Sequence, residues 1–310
     1  MRSSISQLSL HKLEVFCTVA ELGSVSHAAE RLGIAQPVVS AHLKALSEKV
    51  GTQLTRRNGR SIALTEDGQR VLKWAREVTF RTLEIERELI ESRSGLRGKA
   101  VIGASLSIGS YVLPSVVAEF QLKHPNADIA VLTGTPAFVM DAVQDGRCDF
   151  AFLILDPKRD LSGFEADALR AERLLLLKDP RTPLPSSVTA EMLCGLPFVT
   201  AQTGTPRREL EEIALRKYGL SRNHVTIEFG TAEAMKQGVR SGMGVAFLFE
   251  NAVIDELRYG VLEVVETPGL DFQIPSYLLR RKRKQLNRYQ TQLMHELTRA
   301  LQETKAVPAT

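Results

Sequence analysis

Cysteine is scarce in this chain: Cys17, Cys148 and Cys194 stand far apart, with no paired spacing. That excludes a disulfide framework and a zinc site built on paired ligands, and leaves three thiols expected to be buried. Also absent is any apolar run long enough to cross a bilayer, and Met1-Arg2-Ser3-Ser4-Ile5-Ser6 leads into a charged amphipathic segment without the hydrophobic core of a signal peptide. The expectation is a cytoplasmic protein with no membrane partner. No nucleophile stands beside a base, no His or carboxylate cluster has metal-ligand spacing, and no Gly-rich phosphate loop occurs. Catalytic residues, a metal and a cofactor are therefore not expected, and an enzyme is the weakest reading. Internal repeats and low-complexity segments are missing as well. Nor is there a large excess of one charge: 40 Lys and Arg face 36 Asp and Glu. A pI near 9.0 points to nucleic acid only where the positive charge is localised.

What is present is enough for more than one core, since 310 residues at 44% hydrophobic content exceed what one ordinary core organises. Leu10, Leu13, Phe16, Cys17 and Ala20 repeat at the spacing of one helix face, which ends at Gly23. A second helix starts at Ser24 or Ser26, either of which can cap it, and runs through Ala28, Ala29 and Leu32 to Gly33. Pro37 then opens a third helix carried by Val39, Leu43, Leu46 and Val50 to Gly51. Small Ala29, Gly33 four residues on and Val39 six further match a helix-turn-helix: a small contact residue, a left-handed turn position and a β-branched anchor. From Leu54 to Leu64 the chain reads as a β-hairpin tipped by Arg56-Arg57-Asn58-Gly59-Arg60, a basic wing.

A Gly- and Pro-free segment from Gln69 to Ser94 spaces Val71, Ala75, Val78, Thr82, Ile85 and Leu89 alternately four and three apart. This heptad pattern suits pairing with a second subunit; the alternative is a helix packed on its own chain. Arg93 to Gly98 supplies a hinge. Beyond it, strand-like runs at Ala100–Gly103, Ala127–Leu132, Phe150–Leu155, Leu174–Leu177, Val225–Phe229 and Val245–Leu248 alternate with helices at Val112–Lys123, Phe138–Gln144, Arg207–Tyr218 and Ala232–Ser241. Such alternation predicts parallel sheets covered by helices. The expected organisation is a winged helix-turn-helix at 1–66, a linker and dimerisation helix at 67–94, a hinge at 95–98 and an effector domain at 99–304. The effector domain divides into lobe I, about 99–169 and 275–304, and lobe II, about 170–274, with crossings near Arg170 and Pro275.

These residues place the chain beside a known family. Leu13, Phe16, Gly23-Ser24, Ala28-Ala29, Leu32, Gln36-Pro37, Val39-Ser40, Leu43, Leu46, Gly51, Leu54, Arg56, Arg60, Leu64-Thr65 and Gly68 fall in the register of the LysR-type transcriptional regulators, which the chain resembles over nearly its whole length. Downstream, Pro114 and Phe120 before His124-Pro125, Gly146 before Asp149-Phe150-Ala151, and Gly242-Met243-Gly244-Val245-Ala246 keep the family order. Two positions depart: Thr55 stands where a Phe is usual after the wing leucine, and Ser47 where a Glu usually follows the last recognition-helix leucine. The resemblance implies an α/β fold with a two-lobed C-terminal domain like a periplasmic binding protein, and a regulator assembled as a homodimer or homotetramer. Its expected partners are double-stranded DNA with an inverted-repeat site, a small-molecule effector between the lobes, and RNA polymerase.

Gln36, Pro37, Val38, Ser40, Ala41 and Lys44 lie at the start and along the outer side of the third helix, so Gln36 can read a base edge and Pro37 or Val38 can meet a thymine methyl. Ser24, at the opening of the second helix, joins the DNA-facing set. His42 is open between a phosphate or base contact and sideways packing. Arg56, Arg57 and Arg60 suit phosphates or the minor groove. The more basic run Arg280-Arg281-Lys282-Arg283-Lys284 lies outside the motif and reads as a solvated connection.

In the effector domain, Ala104-Ser105-Leu106-Ser107 and Gln202-Thr203-Gly204-Thr205-Pro206 each follow a strand and precede a helix. Hydroxyls and amides at two such helix starts suit a carboxylate or similar anion, and family effectors bind near these positions; the alternative is plain helix capping. Ser105 and Thr203 favour ligand contact, Ser107 and Thr205 are balanced between the two, and Phe229-Gly230-Thr231 with Phe247 would form an apolar wall. Two other readings stay open: a thiol-redox regulator of the same fold acting through Cys148 or Cys194, and a solute-binding protein, which the fused helix-turn-helix speaks against.

Overall fold

A computed structural model describes residues 8–58, 61–94 and 99–303 and divides the chain near residue 95 into two compact units. Arg60 of the wing and the hinge at 95–98 therefore lie outside the described residues. In the first unit, α1 (Leu10–Leu22), α2 (Val25–Leu32) and α3 (Gln36–Val50) precede β1 (Thr55–Asn58), β2 (Ser61–Leu64) and the long α4 (Glu66–Ser94). Ser24 is the cap of α2, its hydroxyl accepting the His27 N–H at 3.3 Å, and Pro37 sits in the first turn of α3. Gly33 turns the chain between α2 and α3 with φ of 66°, a left-handed conformation that costs glycine nothing. Ala29 and Val39 are both buried beside Phe16, Leu43 and Leu46, as the helix-turn-helix spacing requires. The hairpin closes with Arg57 opposite Ile62 and Arg56 opposite Ala63. Where it meets α4, a β-carbon on Gly68 would come within 1.9 Å of the Leu54 carbonyl oxygen, so only glycine lets the linker helix start there.

The first half of the heptad seam is used inside the chain. Ala75 is fully buried, and Val71 and Val78 pack beside it against the core built by α1 and α3. Ile85, further along α4, is 56% exposed, and the side chain of Leu89 lies outside the described residues. The seam thus begins as an anchor to its own domain, because a helix this close to α1 must bury its small residues there before it can offer a face elsewhere.

The second unit runs β3 (Lys99–Ser105), α5 (Leu106–Tyr111), α6 (Leu113–Lys123), β4 (Asp128–Gly134), α7 (Pro136–Gln144), β5 (Phe150–Ile154) and β6 (Phe164–Lys178). It continues through α8 (Ala190–Gly195), β7 (Pro197–Ala201), α9 (Pro206–Arg216), β8 (His224–Phe229), α10 (Ala232–Arg240) and β9 (Ala246–Phe249). A 3₁₀ turn at Glu250–Ala252, α11 (Ile254–Arg258), β10 (Glu263–Val264), β11 (Gln273–Arg281) and α12 (Arg288–Glu303) complete it. β3 pairs in parallel with β4 and β5, as the alternating pattern predicts, and β7 pairs in parallel with β8. The sheet is nonetheless mixed, in the order β10-β6-β11-β5-β3-β4 with β9 also on β6. The long β6 and β11 run antiparallel because one leaves lobe I and the other returns to it, and their register shifts between Pro275 and Tyr277.

The basic run at 280–284, expected as a solvated connection, instead begins inside β11. Arg280 pairs with Asp167 at 3.0 Å, and Lys284 is buried with Asp149 at 2.7 Å, so part of that run is structural rather than solvated. α12, which the sequence reading left out, buries Leu293, Leu297 and Leu301 in the same core as Phe120 and Phe150.

The burial of Ala75 separates two effects. Ala75→Asp should destabilise the N-terminal unit by about 3 kcal/mol or more, since it buries an unpaired carboxylate, whereas Ile85→Asp, at an exposed position, should lower its melting transition far less. Calorimetry of the full chain decides; equal melting of both variants would contradict the internal anchoring of Ala75.

Candidate functional site

In the N-terminal unit, α3 divides into two faces. Val39, Leu43 and Leu46 point into the core, while Gln36, Pro37, Val38, Ser40, Ala41 and Lys44 are all exposed. Gln36 is oriented by its neighbour, its side-chain oxygen accepting from the Ser26 hydroxyl at 3.3 Å. Val38 is an exposed β-branched residue in the first turn, 41% accessible. His42 takes the sideways option: its ring meets that of His11 edge to face at 5.1 Å, and it is half-buried. Ser24 is half-buried and spends its hydroxyl on the α2 cap. Arg56 and Arg57 are exposed on β1, and as consecutive strand residues they point to opposite faces of the wing.

The C-terminal unit contains a cavity of about 530 Å³ between the lobes. From lobe I it is lined by Ser105, Ser107, Tyr111 and Thr135, and from lobe II by Thr205, Arg207, Gly230, Thr231, Glu233 and Phe249, with Ile154 and Leu210 among its apolar walls. It lies where β3 and β5 end and α5 and α9 begin, the place where open α/β sheets leave a crevice.

The hydroxyls there differ sharply in what they already hold. Thr205 caps α9 by accepting the Arg208 N–H and donates to the Gln202 carbonyl at 2.6 Å, so its one proton is already committed to the backbone. Thr231 likewise caps α10 through the Ala234 N–H. Ser107 donates to Asn251 Oδ1 at 2.9 Å. Ser105, 7% exposed, makes no cap bond and its oxygen has no partner. A buried hydroxyl without a partner is costly unless something else satisfies it.

Four of the expected ligand residues are not on the cavity wall. Thr203 is turned away, its N–H and hydroxyl both donating to Glu228, which holds that carboxyl below its ordinary pKa. Gly204 serves the tight turn before α9, with φ of 78°. Phe229 packs into the lobe II core over Gly238. Phe247 is 2% exposed, stacked on Phe198 and edge-on to Phe272, and Phe249 two residues later reaches the cavity instead because it ends the strand.

Sequence reasoning missed Arg207, Tyr111 and Glu233. Arg207 stands one residue past the Thr-Gly-Thr-Pro segment, its Nε donating to Glu211 at 3.2 Å and its guanidinium 5.7 Å from the Phe249 ring. Tyr111 lies four residues after Ser107 on α5, a spacing that could have flagged it. Its hydroxyl donates to Glu233 Oε1 at 2.7 Å, and burial together with that bond raises its pKa. Burial works against the Glu233 carboxylate, but the bonds from Lys236 and Tyr111 outweigh it and hold its pKa below the usual value.

The cysteines do not meet the expectation of uniform burial. Cys148 is fully buried in the lobe I core, whereas Cys17 and Cys194 are half-buried. Burial pushes the Cys17 thiol up to about 11, which keeps it a neutral, unreactive thiol at ordinary pH. Among the described residues no group of His, Cys, Asp and Glu could hold a metal ion, and no helix is long and apolar enough to cross a membrane.

Comparison with known proteins finds two family models on this chain. Residues 10–69 match the model of bacterial regulatory helix-turn-helix proteins of the lysR family, and residues 93–302 match the LysR substrate binding domain. The HTH-type transcriptional regulator YeiE of Escherichia coli K12 is 32% identical across 84% of this chain and 87% of its own length. Full-length OxyR of Pseudomonas aeruginosa superposes with a TM-score of 0.71 at 20% identity, covering 96% of this chain and 95% of that one. Full-length CbnR, solved with its target DNA, superposes at 0.66 with 18% identity, covering 94% and 100%. At these identities the two structures show a shared fold.

The raised pKa of Cys17 carries a pH signature. Below about pH 9 the thiol is neutral in folded and unfolded chains alike; between about 9 and 11 the unfolded chain ionises it first, so folding is opposed as pH rises. Urea unfolding of Cys17→Ala should therefore lose less stability than the parent across that window. Parallel pH slopes would mean that the thiol ionises as it does in the unfolded chain.

Proposed function

The chain belongs to the LysR family of bacterial transcriptional regulators, and we propose that it reads an inverted-repeat DNA site through α3 and the wing while its C-terminal unit holds a small anion between the lobes. It is a DNA-binding regulator of transcription with an effector-binding domain, and its relatives are regulators rather than enzymes. The DNA partner puts its place of work in the cytoplasm of a bacterial cell, with RNA polymerase as the machinery it addresses.

The exposed side of α3 supports the DNA reading, because among the described residues Pro37, Val38 and Ser40 stay exposed while the opposite side is core. Gln36 is the base reader in this proposal, held ready by Ser26. Arg56 and Arg57 contribute through phosphate, one from each face of the wing. CbnR, which shares this fold, is solved with its target DNA, in keeping with a DNA partner here. A dimer or tetramer suits an inverted repeat, and the exposed Ile85 side of α4 is the face left for a second subunit.

The observation that carries the effector reading is Ser105. Ser105 lines a cavity that also contains the cationic Arg207 and apolar walls, its buried hydroxyl has no partner, and an oxygen acceptor from a ligand that reached it would satisfy it. No cofactor beyond this effector belongs to the proposal.

Two experiments test these readings. On the site the protein selects from random DNA, Gln36→Ala should cost about 1–3 kcal/mol of discrimination at one base pair, while Arg57→Ala should weaken specific and random DNA alike and flatten the salt dependence by roughly one unit of slope. Full specificity in the first variant, or an unchanged slope in the second, removes that residue from the interface. For the effector, calorimetry with acetate and benzoate against neutral benzamide should find binding only for the anions, weakened about tenfold by Ser105→Ala. Equal binding of benzamide, or no binding of either carboxylate, would overturn the anion reading.

A further inference from the structure

Helix α5 reaches out of lobe I at two points one turn apart. Ser107 and Tyr111 share a face of the helix, both border the cavity, and each hydroxyl is bonded to a residue outside lobe I. Ser107 donates to Asn251 in the 3₁₀ turn that follows β9, and Tyr111 donates to Glu233 in the first turn of α10. Beneath the Tyr111 ring, 5.2 Å from its centre, lies the buried ammonium of Lys236, itself paired with Glu233 and with Glu256 of α11, each at 2.7 Å.

The Ser107 bond continues to the strands that join the lobes. Asn251 donates its side-chain N–H to Glu172 Oε2 at 3.3 Å, which fixes the amide with its carbonyl oxygen toward Ser107. Glu172 in turn holds Arg170 through its Nε at 2.8 Å on β6, and Ser276 of β11 donates to the Arg170 carbonyl oxygen at 2.8 Å. Ser107, Asn251, Glu172 and Ser276 are each less than a tenth exposed, so water does not substitute freely along this line. It meets β6 and β11 close to the register shift at Pro275 and Tyr277.

A serine hydroxyl carries one proton. In the structure that proton is committed to Asn251, whereas the neighbouring Ser105 hydroxyl has no partner. An acceptor that enters against Ser105 and reaches Ser107 receives a hydrogen bond from it only if Ser107 lets go of Asn251.

We propose that α5 is a clasp regulating this site: Ser107 and Tyr111 fasten lobe I to Asn251 and Glu233, and an anion in the cavity unfastens the Ser107 end by accepting the hydrogen bond that the Ser107 hydroxyl otherwise donates to Asn251. The inference rests on the reading of the cavity as an anion site. Release of Asn251 leaves its oxygen without a donor and loosens its hold on Glu172, so the change reaches the crossing strands, where a small shift alters the angle between lobes. Tyr111 keeps the other end of the helix attached, which turns the release into a pivot.

Amide hydrogen exchange on the full chain tests both parts. Ser107→Ala and Tyr111→Phe each remove a single oxygen atom and leave the packed side chain in place. Without ligand, Ser107→Ala should speed exchange about tenfold at 250–253, Tyr111→Phe should do so at 109–113, and β7 should exchange as in the parent in both. In the parent, saturating benzoate should speed exchange at 250–253 although it binds nearby, and in Ser107→Ala it should add nothing there. Unchanged exchange at 250–253 in Ser107→Ala overturns the clasp. Benzoate that binds by calorimetry without altering 250–253 in the parent overturns release by an anion. Absence of benzoate binding removes the anion reading and release by an anion together, while the two variants still decide the clasp.

Discussion

The antiparallel pairing of β6 with β11 is the constraint on which the C-terminal unit depends. These two strands carry the chain out of the first lobe and back, so each lobe's sheet is completed by strands that belong to both. The parallel β3, β4 and β5 lean on β11 from one side, and β9 and β10 take the far half of β6 on the other. A continuous apolar core runs along this spine, from Phe150 and Phe152 through Leu174 and Leu176 to Phe247 and Phe272. A register shift interrupts the pairing between Pro275 and Tyr277, and that is where Arg170, Glu172 and Ser276 supply polar cross-links.

What the cavity can bind follows from how its hydroxyls are shared out. Helix starts need capping, and Thr205 and Thr231 do that, which leaves their oxygens serving the backbone. Ser107 is tied to Asn251 and Tyr111 to Glu233. Ser105 alone among these has nothing to hold, since the short α5 begins without a side-chain cap. Five similar residues therefore play different parts, and the difference lies in their neighbours rather than in their own chemistry.

The same sharing governs α4. Its small and β-branched residues could serve an interface within the chain or between chains, and periodicity looks identical in the two cases. Ala75 fits closely against α1 and is spent on the domain's own core, as are Val71 and Val78, while Ile85 stands beyond the reach of α1 and keeps its surface. On the recognition helix no such ambiguity arises: Val39, Leu43 and Leu46 are needed inside, so Gln36, Val38 and Ser40 have to face outward.

By itself the sequence determined the features that depend on near neighbours along the chain: the three N-terminal helices with their Gly ends and the Ser24 cap of α2, the left-handed turn at Gly33, the basic hairpin, and the alternation that makes β3, β4 and β5 parallel. Each rests on a local backbone preference or on which side chains share one face, and a few consecutive residues suffice to express it. Only the tertiary structure decided which heptad residues were free, that the basic run at Arg280 and Lys284 is partly buried in ion pairs, and that Thr203, Gly204, Phe229 and Phe247 stand off the cavity while Arg207, Tyr111, Glu233 and Phe249 line it. Those outcomes turn on partners distant in the chain: Glu228 for Thr203, Asn251 for Ser107, Asp149 for Lys284. A hydroxyl or an ammonium carries no mark in the sequence of which acceptor will claim it, because that is settled by distance after folding and by the cost of leaving a buried polar group unpaired.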